Sequence, residues 1–435
     1  MLFIENLGRI IRRVARFFSS YLGNSTMSIM EASTKILEIP ALERDFREGA
    51  LYDARNEQIV IGYSLWNADD VEKIKARRND STHYLMNASA TLSETLNGFD
   101  MSASVKLSII SGLIELGGGS ASYLKKQKNT RGECSVQVKC FYKTGYKEMS
   151  MDQLTQISYL DVARTGHNNR ATHFVMKIQY GAGAIFTFTK QFQSGEEEWQ
   201  AKAKAELNIC GKTITSLLDG SLAGNYRNSS SSSQIQCEFK SYGFSLTEAS
   251  PTTYDEALKF ASNFGRMAHQ SMARHGGEAL GVPCIVWLHP LVALPGCANA
   301  PKLHCDFTLD QACKWIKFFE DCDEFERKLN VPLPIPSLPK GNKDLEKMYR
   351  IQANIRWPEK KKECREKTEL VTRLRSDGLT ELREMIVQIR SGLITFDHFN
   401  QKTSSITKPL DSVAGWIANE VEFFRFIMHL RYLGA

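Results

Sequence analysis

The sequence predicts an α+β fold, in which a β-rich unit built around one long bent strand is followed by an antiparallel helical bundle. The first observation is an alternation of apolar and polar residues from Thr172 to Phe188, which is typical of a long strand. The second is the pair Gly181 and Gly183 inside that alternation, because glycine within a strand marks a kink or a close backbone approach. The third is a change to helical periodicity after Pro301.

Strand signals dominate between Leu51 and Trp287. Apolar residues such as Val136 and Val138 alternate there with polar ones such as Gln137, which predicts strands with one face turned to a core. Besides the central stretch, we expect strands at Gln58–Trp66, Cys134–Tyr142 and Pro283–Leu288.

The last third of the chain has helical periodicity, for example at Leu410, Val413 and Ile417. Helices of this length joined by short loops favour an antiparallel bundle. The prolines between Val331 and Lys340 are interpreted as a stiff linker, with a polyproline ligand for an SH3-like partner as the alternative. We expect helices at Phe307–Leu329, Asp344–Arg375, Gly378–Leu393 and Leu410–Leu433, and a division into residues 1–33, 34–300 and 301–435.

The composition of the 435 residues, 42% hydrophobic and 24% charged, is ordinary for a globular protein of several domains. A formal net charge of +6 permits attraction to an anionic membrane surface, but it falls short of the dense basic field of a nucleic-acid binder. The ten cysteines contain no C-x-x-C pair, which favours reduced thiols over disulfides or a metal site. We expect no metal, cofactor, nucleic acid or small-molecule substrate. We expect a cytoplasmic or membrane-associated protein, with release by a route that needs no signal peptide as the alternative.

The N-terminal residues 1–23 combine apolar residues at helical spacing with arginines. Four arginines are incompatible with a secretory hydrophobic region, so no secretory signal peptide is expected. The stretch is interpreted as an interfacial helix, a mitochondrial presequence, or an extension that docks on the body or precedes a second start at Met27 or Met30. The candidate interfacial residues are Ile4, Arg9, Arg12, Arg13, Arg16 and Phe18.

Two further segments alternate strictly and lie on either side of the central strand in sequence. Alternation favours permanent half-buried strands, yet their alanine, serine, lysine and leucine residues also tolerate a helix. A segment acceptable in both forms suits a switch from a packed to an inserted state. The first segment contains Met101, Val105, Leu107, Ile109 and Leu113 and runs into the turn glycines Gly117, Gly118 and Gly119. The second contains Ala203, Ala205, Leu207 and Ile209, and then Ile235 and Phe239.

Enzymatic motifs are absent from the sequence. The glycines that precede Ser120 are not followed by the Gly-Lys-Ser/Thr of a phosphate loop. No H-E-x-x-H and no G-x-S-x-G is present. His173 lies among large apolar residues, which favours a framework role over a catalytic one. The sequence therefore predicts a protein that is not an enzyme.

The central strand carries a known signature. Thr172, His173 and Phe174, followed after six residues by Gly181, resemble the signature of the membrane-attack-complex/perforin (MACPF) fold. Arg170 stands in place of the aromatic residue that begins that signature, and Ala182 in place of its second glycine.

Other motifs resemble the stonustoxin-like group within the MACPF/cholesterol-dependent-cytolysin (CDC) superfamily, and they agree with it in order and spacing. The resemblance runs from Ile39 to the C-terminus. It rests on Gly49–Glu57 (similar to G-x-L-Y-D-A-R), Leu116–Leu124, Ala171–His173 with Gly181, Pro251–Ala257, and Trp416–Glu422 (similar to W-x-x-N-E).

The resemblance implies a bent, twisted antiparallel sheet of the MACPF/CDC type, flanked by two helical clusters at residues 90–128 and 194–240 and followed by a bundle like a focal-adhesion-targeting domain. In pore-forming members these clusters unfurl into amphipathic hairpins and subunits assemble. The resemblance thus implies a cytolysin-like protein that binds membrane lipid and forms homo- or hetero-oligomers, and the alternative is a cytosolic scaffold that keeps the fold without forming pores. Venom members continue into thioredoxin-like and PRY-SPRY domains, which we expect this chain to lack.

Overall fold

The computed structural model describes residues 29–66, 68–72, 74–87, 96, 101–114, 133–150, 170–191, 197–218, 235–243, 249–274, 280–329, 347 and 357–420. Several expectations lie outside these residues: the N-terminal helix with its arginines, the turn glycines Gly117, Gly118 and Gly119, and the proline-rich linker from Val331 to Lys340. The start of the second predicted bundle helix (before residue 357, apart from 347) and the end of the last one (after residue 420) lie outside them as well.

The β-rich unit is one antiparallel sheet of eight described strands. The strands predicted at Gln58–Trp66, Cys134–Tyr142 and Pro283–Leu288 are present, and the central strand is the longest. In chain order the strands are β1 (Leu37–Pro40), β2 (Ala50–Asp53), β3 (Gln58–Ser64), β4 (Arg77–Asn87), β5 (Glu133–Glu148), β6 (His173–Gln191), β7 (Ile235–Tyr242) and β8 (Val282–Pro290). One row of neighbours is β1-β8-β6-β2-β3, and a second row, β4-β5-β6-β7, shares β6 with it.

The middle of β6 is where the strand changes its neighbour. Its first half pairs with β8 as far as Gly181, and its second half pairs with β7 from Gly183 onward. A Cβ on Gly181 would lie 2.2 Å from the carbonyl oxygen of Tyr142 in β5. Two further glycines approach the same point, because a Cβ on Gly243 or Gly281 would lie 2.6 or 2.1 Å from the oxygen of Gly181. The glycine pair predicted a kink or a close backbone approach, and Gly181 lies at a close approach of neighbouring strands that leaves no room for a Cβ.

Eight helices are described in the segments with assigned bounds. Two begin with reciprocal capping boxes, in which a threonine and a carboxylate or amide three residues later bind each other's backbone N–H: Thr253 with Glu256, and Thr308 with Gln311. The helices are α1 (Ile29–Thr34), α2 (Ala68–Glu72), α3 (Ala103–Ile110), α4 (Glu197–Leu218), α5 (Tyr254–Arg274), α6 (Leu309–Leu329), α7 (Trp357–Arg390) and α8 (Phe396–Thr407). Residues 409–420 are also helical.

The division of the bundle helices differs from the prediction. The second and third predicted helices are one helix, α7, which runs through Gly378, and α8 lies in a stretch that the sequence reasoning left unassigned. A Cβ on Gly378 would lie 2.7 Å from the ring of Phe318 in α6. The glycine therefore permits close helix packing and does not end the helix.

The hydrophobic core joins the sheet to the bundle. One cluster contains residues of β6, α3, α6 and α7, and a second contains residues of β5, β6, β7, α4 and α5. Representative members of the first are Ile178, Leu107, Trp315 and Ile386, and of the second Phe186, Phe239, Leu207 and Phe260. The helices α3 and α4 thus pack into different cores.

Candidate functional site

Four neighbouring strands end on the same side of the sheet. The first alternating segment and the first half of the second lie in connections at this side, because residues 88–132 join β4 to β5 and residues 192–234 join β6 to β7. The strands that each connection joins are already paired with each other. The backbone pairs nearest this side are Asn87 with Gln137, Glu133 with Gln191, and Lys190 with Ile235.

The first half of the second segment is helical, and its burial follows the helical period. Ala205 is exposed and Ile209 is 59% exposed, although an extended chain places both on the same face as Ala203 and Leu207. Packing against the core therefore favours the helix over the strand in this stretch. The buried face consists of Ala203, Leu207, Cys210 and Ile214.

The second half of this segment belongs to the sheet. Ile235 and Phe239 lie in β7, where they pair with Lys190 and Phe186. The inclusion of residues 235–240 in a helical cluster is therefore wrong. The Phe239 ring lies 4.9 Å from that of Phe186 and 4.6 Å from that of Phe260 (centroid to centroid), so the alternation of this strand is satisfied by aromatic packing under α5.

Contacts to the sheet and to α5 hold α4 in place. The helix contacts β4, β5 and β6 on one side and α5 on another. Glu206 of α4 forms an ion pair with Lys190 near the end of β6, and both side chains are mostly buried. This pair ties the helix back to the strand that precedes it.

The first segment forms the short helix α3, and bundle helices cover it. Ser102 caps the helix through the backbone N–H of Val105. Met101, Val105, Leu107 and Leu113 are buried and Ile109 is half-buried. Helix α3 contacts α6 and α7. The two candidate segments are thus restrained by different parts of the molecule.

A buried polar cluster joins α3, the sheet and the bundle. We call it the Arg390 cluster, and it consists of Arg390, Glu57, Ser104 and Ser108. Arg390 Nη1 lies 3.0 Å from Glu57 Oε1, and Nη2 donates to Ser104 Oγ at 2.7 Å and to Ser108 Oγ at 2.9 Å. Ser108 Oγ also donates to Glu57 Oε1 at 2.9 Å. Arg390 is 1% exposed, so the charge is shielded from water.

The residues of the G-x-L-Y-D-A-R motif build the surroundings of this cluster. Tyr52 donates a short hydrogen bond to Glu57, and burial raises the pKa of Tyr52 far above its ordinary value, so it stays a neutral donor. Asp53 pairs with Arg55, which also donates to the carbonyl oxygen of Arg170 at 2.9 Å. Gly49 has a φ of +75° and leaves space for Trp66. The sequence reasoning used this motif only for the resemblance and missed the cluster, because Glu57 meets Arg390 only in the folded chain.

The signature residues Thr172 and His173 have structural roles. Thr172 Oγ1 accepts a hydrogen bond from Ala54 N at 2.9 Å and lies 2.8 Å from His173 Nδ1. His173 is 1% exposed, and burial lowers its pKa to about 4. The two sequence motifs therefore bind each other, and His173 is neutral near pH 7.

His173 makes the folded state sensitive to acid. The pKa is about 6.5 when the ring is exposed and about 4 in the folded protein, so the unfolded state binds the extra proton between these values. The free energy of unfolding should therefore fall by about 3 kcal/mol as the pH drops from 6.5 to 4, and be unaffected by this group above pH 6.5. Urea unfolding of the wild type and His173→Gln at several pH values measures this. Parallel pH profiles for the two proteins contradict it.

The W-x-x-N-E element closes the bundle. Lys360 of α7 binds Glu420 at 2.5 Å and Glu363 at 3.0 Å. Trp416 donates from Nε1 to Glu363 Oε2 at 3.0 Å. The tryptophan and glutamate of the motif thus fasten residues 409–420 to the start of α7.

The described residues include neither a metal-binding cluster nor a membrane-spanning helix. In that part of the chain, no group of three or more His, Cys, Asp or Glu side chains is placed to hold a metal ion. Within the same ranges, none of the helices has the length and apolar character needed to cross a bilayer.

Comparison with known proteins decides the family. The family model described as "SNTX, MACPF/CDC-like domain" matches residues 36–299. This chain belongs to that SNTX family. Its relatives include neoverrucotoxin subunit beta of Synanceia verrucosa, 29% identical over 70% of this chain and 41% of the relative. Cytolytic toxin-alpha of Scorpaena plumieri is 30% identical over 71% of this chain and 43% of the relative.

The SNTX fold is supported by a solved structure as well. A solved stonustoxin structure aligns with 91% of this chain and with 49% of the stonustoxin chain, with a TM-score of 0.52 and 18% sequence identity. At this identity the likeness supports the MACPF/CDC-like fold. The chain spans about two fifths of the length of the curated relatives it matches, at 41% and 43%.

Proposed function

We propose that this SNTX-family chain is a membrane-active, cytolysin-like protein that self-associates on lipid and inserts β-hairpins formed from its two candidate segments. The observation that carries the proposal is the double periodicity of α4. As a helix it buries Leu207 and leaves Ile209 59% exposed. As an extended chain it would place both on one apolar face.

The topology supports hairpin formation. Each segment connects two strands that are already paired, so extension of the segment lengthens an existing hairpin without changing its register. A tilted spanning strand needs about 9–11 residues. The connection at residues 192–234 is long enough for both arms of such a hairpin, and in the existing register most of α4 lies on the arm that continues β6. Backbone groups in lipid must pair with one another, which extended neighbouring hairpins achieve by assembly.

The charges of the second segment fit such a hairpin. Lys202, Lys204 and Glu206 alternate with the apolar residues and share the opposite face of an extended chain. On a lipid-facing side, a lysine near the bilayer midplane costs about 2–4 kcal/mol, whereas on a water-facing side it is tolerated. The pattern therefore assigns the charged face to water.

The partners we propose are membrane lipid and further subunits, either copies of this chain or related chains. The names of the relatives include a cytolytic toxin and a toxin subunit, which supports lytic activity by assembly. A non-enzymatic role follows from this mode of action. We place the protein at the membrane when it acts. The scaffold alternative predicts partner binding without membrane damage.

The experiment locks α4 to β6. Lys190→Cys and Glu206→Cys replace the ion pair between them, in a Cys313→Ser background that removes an exposed thiol. A bismaleimide with a reducible spacer joins the two cysteines. The unlocked protein should release dye from vesicles and form ring-like oligomers, the locked protein should release none, and reduction of the spacer should restore release.

The matched control locks a pair within the bundle. Glu381→Cys and Lys402→Cys replace the ion pair between α7 and α8 and should leave dye release intact after cross-linking. The proposal is wrong if the unlocked protein neither releases dye nor forms oligomers on neutral, anionic and cholesterol-containing vesicles. It is also wrong if locking α4 leaves release unchanged.

A further inference from the structure

We propose that Arg390 is a positioning residue through which the helical bundle holds α3 in its packed, helical state. The inference rests on the proposed function, because the release of α3 has a consequence only if residues 101–114 leave the core. Arg390 would then set how readily the first segment is released.

The end of α7 fixes the position of Arg390. The helix ends in a Schellman motif, in which Gly392 N donates to Ile389 O at 3.0 Å and Leu393 N donates to Gln388 O at 2.8 Å. Gly392 has the left-handed φ of +75° that the motif requires. The carbonyl oxygen of Arg390 accepts from His304 N at 3.0 Å. The guanidinium therefore extends from a rigid helix end, where the dipole favours a cation.

The contacts of Arg390 with α3 reach two successive turns. Nη2 binds the hydroxyl of Ser104 at 2.7 Å, the backbone oxygen of Ser104 at 3.3 Å and the hydroxyl of Ser108 at 2.9 Å. An eight-residue helix such as α3 is not stable by itself and depends on tertiary contacts. A clamp across its two turns is thus placed to stabilise the helical state.

The buried ion pair between Arg390 and Glu57 leaves part of the guanidinium without hydrogen bonds. The contact between Arg390 Nη1 and Glu57 lacks hydrogen-bond geometry, and Arg390 Nε has no acceptor among the described residues. Buried pairs of this kind add little net stability, yet removal of one partner has a large effect because a buried charge is left alone. The Arg390 cluster therefore affects the balance between the packed and released states of α3 more than it affects the stability of the whole fold.

Release of α3 leaves the rest of the cluster in place. Glu57 follows β2 and Arg390 ends α7, so their pairing joins sheet to bundle without any residue of α3. Only the serine contacts are lost when α3 departs. By contrast, α4 is held by the sheet and α5, which lie in the other core. The bundle therefore restrains the first segment and not the second.

Hydrogen–deuterium exchange on the full chain in solution tests the inference without lipid. Arg390→Met should raise amide exchange in α3 by about tenfold or more, with α4 and β6 unchanged. Arg375→Met is the control, because Arg375 lies on the same helix in an exposed pair with Asp323 and should leave α3 unchanged. A uniform rise over the chain, or no rise in α3, overturns the inference.

A second variant covers the case in which Arg390→Met does not fold. Ser104→Ala combined with Ser108→Ala keeps the ion pair and removes only the hydroxyl contacts to α3. Exchange should again rise selectively in α3, by about threefold or more, and an unchanged α3 contradicts the role of Arg390.

Leakage separates this inference from the proposed function. Selective exchange of α3 together with no dye release from any vesicle keeps the positioning role and removes the pore-forming one. Dye release by the wild type, together with unchanged α3 exchange in Arg390→Met, keeps the pore-forming role and removes the positioning role of Arg390.

Discussion

Gly181→Ala should prevent the chain from forming its native sheet. The added Cβ would lie 2.2 Å from Tyr142 O and 3.3 Å from Cys284 Sγ, so backbone in β5 would have to move. The backbone of Gly181 cannot shift away easily, because Gly243 and Gly281 approach its carbonyl oxygen so closely that neither has room for a Cβ. Overpacking in a core costs about 1–3 kcal/mol, and a clash with backbone belongs at or above the upper end. We expect a loss of about 3 kcal/mol or more in urea unfolding, or no soluble protein.

Gly415→Ala is the matched control for this substitution. Gly415 lies within helical residues 409–420, and a Cβ there would meet nothing within 4 Å. Alanine should raise the free energy of unfolding by about 0.5–1 kcal/mol, because glycine is a poor helix former. If Gly181→Ala unfolds like the wild type while the control behaves as expected, the close approach of neighbouring strands at Gly181 is wrong.

The bend at Gly181 shows how far sequence reasoning reaches. The alternation and the glycine pair of β6 are local, so they predicted the strand and, as one of two interpretations, a close backbone approach at the glycines. Gly243 and Gly281 are distant in sequence and follow other segments, and nothing in their own surroundings showed that they meet Gly181. Their role depends on the pairing of three strands, which no local pattern encodes.

The second segment shows a different limit. The residues from Ala203 to Ile209 satisfy both periods, so the sequence alone left helix and strand open. The core under β5 and β6 selected the helix by burying Leu207 and Cys210. Similarly, the prediction of separate helices that end at Arg375 and begin at Gly378 is wrong, although glycine lowers helix propensity by about 1 kcal/mol. The contact with Phe318 overrides that penalty.

The Arg390 cluster lay beyond sequence reasoning altogether. An arginine in the last turn of a helix is usually explained by the helix dipole and solvent. Its actual partners, Glu57 and Ser104, come from chain segments separated by 333 and 286 positions. The G-x-L-Y-D-A-R resemblance pointed to the glutamate region, but a motif without its long-range partner does not define a cluster.

Trp315→Ala should produce the other large loss of stability. Trp315 is fully buried in α6, and its ring centroid lies 5.6 Å from that of Phe318 and 6.0 Å from that of Phe319. Removal of such an indole leaves a cavity that the helices cannot fill, which costs about 3–5 kcal/mol. Urea unfolding followed by circular dichroism measures this loss.

Trp315→Phe distinguishes the stability lost through reduced packing from the stability gained by removing the buried indole N–H. The Nε1 of Trp315 has no hydrogen-bond partner among the described residues, so phenylalanine removes a buried unsatisfied donor along with part of the ring. An unpaired buried donor costs about 1–3 kcal/mol, which offsets much of the lost packing. The net loss should stay below about 2 kcal/mol. Equal losses for alanine and phenylalanine contradict the cavity argument.

The pattern of amide exchange in Trp315→Ala should then differ from that in Arg390→Met. Trp315 shares one core with Leu107 of α3 and Ile386 of α7, so exchange should rise together in α3, α6 and α7. Helices α4 and α5 pack in the other core and should keep more of their protection. A cavity loosens a whole core, whereas loss of a directed contact frees the element that it holds. If the two variants give the same exchange pattern, Arg390 acts only as part of the core.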